Sequence, residues 1–202
     1  MPQSHSPFSL KGKVALITGG NGGIGLGMAR GMAAAGADIV IAGRKKEKSE
    51  AAAQDLAKLG VRTAVVEVDV KDDASCKAMV GETVQRFGRL DILVNNAGIN
   101  IRKQPETYTT AEWREILAIN LDGAFYCSHA AYPHLAAQGG TLIGFISDAG
   151  KFAAPRQTIV GAARAAQIGF VRNLAVEAAR DHIRVHAISP SYVAGSAVAE
   201  RI

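Results

Sequence analysis

The chain alternates short β-branched runs with alanine-rich stretches of helical length, and this alternation restricts the possible fold more than any other feature. The runs are VALI at 14–17, DIVIA at 38–42, TAVVEV at 63–68, DILVNN at 91–96, TLIGFI at 141–146 and IRVHAI at 183–188. They are nearly continuous apolar runs, the mark of strands covered on both faces. The intervening stretches, at 26–35, 46–59, 74–87, 111–135 and 157–180, are long enough to form crossover helices. This order predicts a doubly wound parallel α/β sheet. With 202 residues, 48% of them hydrophobic, one sizeable core in one domain is expected. Residues 1–10 are read as a tail and 11–202 as the domain.

Directly after the first strand comes TGGNGGIG, at 18–25, opening the first helical stretch. Glycines here let the backbone turn sharply and approach a pyrophosphate, whose charge the free N–H groups of the helix start can bind. An ordinary glycine-rich turn is the alternative, but the position in the first β/α turn points to a dinucleotide and a Rossmann-type fold. The candidate contacts are Gly19, Asn21, Gly22, Gly23, Ile24 and Gly25. At the end of the second strand such folds carry an acidic residue for a ribose 2′-hydroxyl. This chain has AGRKK there, so Gly43 offers no carboxylate, while Arg44 and Lys45 offer positive charge. NADP(H) is therefore expected over NAD(H). Lys46 and Lys48 are read as a solvated helix start.

The net charge of +5 is scattered, and the one dense basic cluster lacks interleaved aromatics, which suits a small anion better than nucleic acid. Cys76 and Cys127 form neither a metal-ligand spacing nor a disulfide framework. No signal peptide and no membrane-spanning run is read, and the cytoplasm is the expected compartment.

At NNAG, 95–98, the pattern becomes recognisable: the chain resembles the short-chain dehydrogenase/reductase family over nearly its whole length. The other supporting stretches are DV at 69–70, AINLDGAF around Asn120, SDAG at 147–150 and RVHAISPSYV at 184–193. The resemblance implies cofactor contacts from Asp69, Val70, Asn96, Ala97, Gly98, Pro190 and Val193. Without it, Asp69 would pass as a strand-end cap. It also implies that Asn120 holds a water in a proton relay and that Ser147 polarises a substrate carbonyl. The implied activity is oxidoreduction of a small carbonyl or secondary alcohol, by a homodimer or homotetramer.

One part of the pattern is broken. The family places a tyrosine about thirteen residues after the serine and a lysine four residues later on the same helix; this chain has Val160 and Arg164. Val160 can neither give nor take a proton, and a positioned acid contributes about 10²- to 10⁴-fold. Arg164 keeps a charge that could meet the cofactor, but its rigid fork does not replace an ammonium freely. Asp148, Tyr192 and a water relayed by Asn120 are candidate substitute donors, with a turn cap the favoured reading of Asp148 and a pocket wall that of Tyr192. Ser191 stands where the family has glycine after Pro190. The sequence stops at Ile202, so the family's final strand and its C-terminal pocket wall are expected to be missing from these residues. The expectation is an NADP(H)-dependent oxidoreductase of impaired or atypical catalysis, the alternative a non-catalytic NADP(H)-binding or subunit-interaction protein.

Overall fold

Apolar runs of this length can be shielded from water only if both faces of their sheet are covered, and the structure does so with two layers of helices. The computed structural model describes residues 7–191 and 193. The elements are β1 Val14–Thr18, α1 Gly23–Ala34, β2 Asp38–Ala42, α2 Lys46–Ala57, β3 Thr63–Val66, α3 Asp73–Phe87, β4 Ile92–Asn95, α4 Thr110–Leu117, α5 Gly123–Ala136, β5 Thr141–Phe145, α6 Thr158–Glu177 and β6 Arg184–Ile188. Every strand pair is parallel, in the order β3-β2-β1-β4-β5-β6. The order reverses between β1 and β4, and in open sheets of this kind the crevice beyond the strand ends at that point receives the ligand.

Successive residues of β1 go to opposite faces, as the period of a strand requires. Val14 and Leu16 enter a core with Met79, Cys127, Leu135 and Val171, under α3, α5 and α6. Ala15 and Ile17 enter a second core with Ala29, Ala33 and Leu56, under α1 and α2. The second core reaches back to Leu10, in the expected tail, whose N–H donates to the Ala35 carbonyl at 2.7 Å. Cys76 and Cys127 are free thiols facing each other at 3.5 Å between α3 and α5.

A buried carboxylate locks the base of the sheet. Asp91, 3% exposed, accepts from the Val14 N–H, from Lys13 Nζ and from two nitrogens of Arg89, at 2.6–3.2 Å. β1 and β4 are thereby registered at the edge opposite the crevice.

The expected helix at 111–135 is not regular. A π turn, Ala118–Asp122, separates α4 from α5, with the Gly123 N–H reaching the Ala118 carbonyl. Among the described residues no helix is long and apolar enough to cross a membrane.

Candidate cofactor and active site

The glycine turn occupies the crevice between β1 and α1. Gly19 adopts φ +66°, a left-handed conformation that favours glycine. Gly25 is required for space, since a methyl group there would lie 2.4 Å from the Gly19 carbonyl oxygen and 2.5 Å from Asn96 Nδ2. Asn96 ties the two sides of the crevice, donating from Nδ2 to the carbonyls of Thr18 at 2.9 Å and Gly19 at 3.2 Å. Thr18 Oγ1 accepts in return from the N–H groups of Asn96 and Ala97. This threonine, the first residue of the TGGNGGIG motif, joins the glycine turn to the residues after β4. The start of α1 has no side-chain cap and no acidic residue in its first turn, so its N–H groups face the crevice with their partial positive charge uncompensated.

A cleft of about 260 Å³ continues from this turn, lined by Gly19, Asn21, Val68, Val70, Ala97 and Gly98 and, at its mouth, by Gly43, Arg44, Lys45 and Lys48. Of the two residues expected at its floor, Val70 faces the cleft, while the Asp69 carboxylate turns to the Lys71 N–H at 3.1 Å as a strand-end cap. Gly22 is the N-cap of α1, Gly23 its first residue and Ile24 its second. Lys48 departs from the sequence reading: it lines the cleft rather than merely facing solvent. The cradle fits a dinucleotide, with a glycine turn packed too closely for a Cβ at position 25 and a helix start open to an anion.

Beyond it lies a second hollow of about 170 Å³, whose lining includes Asn100, Arg102, Ser147, Asp148, Phe152 and Gln157. Ser147 ends the segment after β5, donating from Oγ to Asp148 Oδ1 at 3.0 Å and accepting the Ala149 N–H at 3.3 Å. The neighbouring Ser191 hydroxyl first, and then Ser147 and the charge of Arg102, hold the Asp148 carboxyl below its ordinary value of 3.8. At neutral pH Asp148 is therefore a carboxylate with no proton to give. The nearby Tyr108 hydroxyl is 2.8 Å from the Ile101 carbonyl and 3.0 Å from that of Arg156, pinning two loops together. Pro190 accepts the Asp148 N–H through its carbonyl, and Val193 is half-buried. Tyr192 lies outside the described residues.

Asn120 sits in the π turn, fully buried, and its side chain is committed: Oδ1 accepts the Ile99 N–H at 2.8 Å and Nδ2 donates to the Ile99 carbonyl at 2.9 Å. Val160 and Arg164, one turn apart on α6, are 3% and 7% exposed. Arg164 Nη1 donates to the Phe145 carbonyl at 2.8 Å and to Gln167 Oε1 at 2.7 Å, while Nε has no partner. A methyl group at Gly98 would lie 2.5 Å from its Nη2. Burial, with no carboxylate in return among the described residues, lowers the guanidinium to about 10, so the charge persists at neutral pH. Gln167, itself buried and not singled out in the sequence, holds it together with the Phe145 carbonyl.

The sequence profile of short chain dehydrogenases matches residues 13–202. The chain belongs to the short-chain dehydrogenase/reductase family. It is 34% identical over 194 residues to the 2-dehydro-3-deoxy-D-gluconate 5-dehydrogenase of Escherichia coli, covering 94% of this chain and 75% of that protein. Among solved structures, NAD+-bound xylitol dehydrogenase superposes with a TM-score of 0.92 at 31% identity, covering 97% of this chain and 75% of the other. A gluconate 5-dehydrogenase from Burkholderia cenocepacia, in complex with NADP and tartrate, superposes with a TM-score of 0.87 at 35% identity, over 92% and 73%. Short-chain dehydrogenases bind a nicotinamide cofactor and act on small molecules, and the sheet order, glycine turn and crevice described above are theirs. The two solved relatives hold different cofactors, so the chemistry at the mouth of the cleft must decide between them.

Proposed function

We propose that this protein is an NADP(H)-dependent oxidoreductase of a small polar carbonyl or secondary alcohol, with atypical catalysis. The observation that carries the cofactor assignment is the mouth of the cleft, where Arg44 and Lys45 stand at the end of β2 and Gly43 supplies no carboxylate. A 2′-phosphate there meets cations, whereas a 2′-hydroxyl meets no carboxylate among the lining residues. Gly19, the start of α1 and the Asn96–Thr18 tie would hold the diphosphate end, and Val68 and Val70 the adenine side. The bound cofactor supplies or accepts a hydride at the substrate carbon.

The chain's own residues then have to manage the substrate and its proton. Ser147 lines the second hollow and would bond a substrate carbonyl oxygen by turning its hydroxyl away from Asp148, and Asn100, Arg102 and Gln157 offer further polar contacts, which suit an oxygen-rich substrate such as the hydroxy acids of the gluconate-type relatives. Val160 takes the place of the acid, and the described lining of the hollow offers only an ionised Asp148. Arg164 acts from below the Gly98 turn as a support, since its bonds run to Phe145 and Gln167. The same two residues favour the second reading, a cofactor-binding protein that does not turn over.

The cofactor assignment is tested by titrating NADPH and NADH against the full chain by fluorescence at one ionic strength. NADPH should bind more tightly, and Arg44→Asp should reverse the order. Equal affinities, or a preference for NADH, would remove the assignment.

A further inference from the structure

The basic run at 44–48 is one patch in the sequence and two in space. Lys46 lies 3.9 Å from Glu50 on the next turn and borders a separate hollow over α2 and β3. Arg44, Lys45 and Lys48 line the cleft instead. Of these, Lys48 crosses to the far side: a methyl group added at Gly22 would lie 2.6 Å from its Nζ and 3.0 Å from its Cε. Gly22 is in extended backbone, φ −179°, which any residue adopts. What glycine provides at position 22 is room, and the Lys48 ammonium fills it.

The crossing is held in place. Asn21 Nδ2 donates to Ser49 Oγ at 2.9 Å, and Ser49 Oγ donates to the Lys45 carbonyl at 3.0 Å, so the first turn of α2 is tied to the glycine turn next to Lys48. Among the described residues Lys48 takes part in no ion pair. Its charge is uncommitted at the mouth of the cleft, opposite the guanidinium that follows β2.

We infer that Lys48 is a determinant of cofactor choice, forming with Arg44 a two-sided clamp for a ribose 2′-phosphate. The inference rests on the NADP(H) reading. A phosphate monoester carries a charge near −2 at neutral pH. The partial charge at the start of α1 serves the diphosphate, so the 2′-group needs full cations of its own; Arg44 and Lys45 stand on the β2 side, and Lys48 supplies the charge on the side of the glycine turn.

The test compares adenosine 2′,5′-bisphosphate with adenosine 5′-monophosphate by calorimetric titration of the full chain at one ionic strength. A charge-assisted bond accounts for about 10- to 100-fold in affinity, so Lys48→Ala should erode the preference for the bisphosphate by that factor. Lys46→Ala should leave it unchanged. Gly22→Lys added to Lys48→Ala should restore the preference, because the new side chain enters the space that Lys48 vacates. A preference that depends on Arg44 but ignores Lys48→Ala overturns the clamp and leaves the NADP(H) reading standing. Equal weakening of both ligands also overturns it, assigning Lys48 to the 5′-phosphate. No preference in the unmodified chain, unchanged by Arg44→Ala, overturns the reading and the clamp together.

Discussion

Arg164 and Asp91 are both charges taken out of water, and their surroundings differ in a way that sets their roles. Arg164 has only neutral partners and an unbonded Nε, so it is an expensive group that the fold carries beside its crevice. Asp91 is met by Arg89, Val14 and Lys13. Burial alone would raise its carboxyl, but the bonds from Arg89, the Val14 N–H and Lys13 outweigh burial and hold it below 3.8. A carboxyl depressed in the folded state stabilises fully above its unfolded value, and that contribution is lost as pH falls through the folded value. Asp91→Asn should therefore cost about 1.5–3 kcal/mol at neutral pH in urea unfolding. The deficit should shrink as pH falls below 3.8, because the unmodified protein then loses the same bonds. A deficit that is constant down to strongly acid pH would contradict this account. The sequence shows Asp91 as the first residue of an apolar run; nothing in that run says that Lys13 and Val14, more than seventy positions away, converge on it with the neighbouring Arg89.

Strands were the most legible elements, since each apolar run lies within a residue or two of the strand observed, and helix existence followed from the gaps between them. The break between α4 and α5 was not legible. A π turn inserts one residue without disturbing composition, and what maintains it is the pair of bonds from Asn120 to Ile99, a contact across twenty-one positions. The split of the basic run was hidden for a related reason: which lysine faces the cleft depends on how α2 is tied to the glycine turn. The outer face of α5 and α6 adds an element-scale expectation. Phe125, 48% exposed, stacks on His129 and meets Phe170 of α6 edge to face, leaving aromatic surface on the outer face of these two helices that a second copy could cover. Light scattering at micromolar concentration should give a dimer or tetramer, and Phe125→Asp should shift it toward monomer. A monomeric unmodified chain would count against pairing through this face.

At the scale of the whole molecule, the β/α alternation and the glycine turn make the sheet, its crevice and the cofactor class readable before any coordinate, because parallel sheets bind at the point where their strand order reverses. The catalytic centre is different, since its reading depends on two residues that keep the helix and change the chemistry. Val160 and Arg164 pack as helix-face residues should, both buried, and α6 forms without disturbance. The central claim is that this frame binds NADP(H) but lacks the acid that makes carbonyl reduction efficient. The direct measurement is the rate of NADPH oxidation with small polar carbonyl substrates, with cofactor binding measured on the same samples. The unmodified chain should bind NADPH and oxidise it slowly but measurably. Val160→Tyr with Arg164→Lys should raise the rate by roughly the 10²- to 10⁴-fold of a positioned acid, with each single change doing less because the two act as a unit. Brisk turnover by the unmodified chain would contradict the claim.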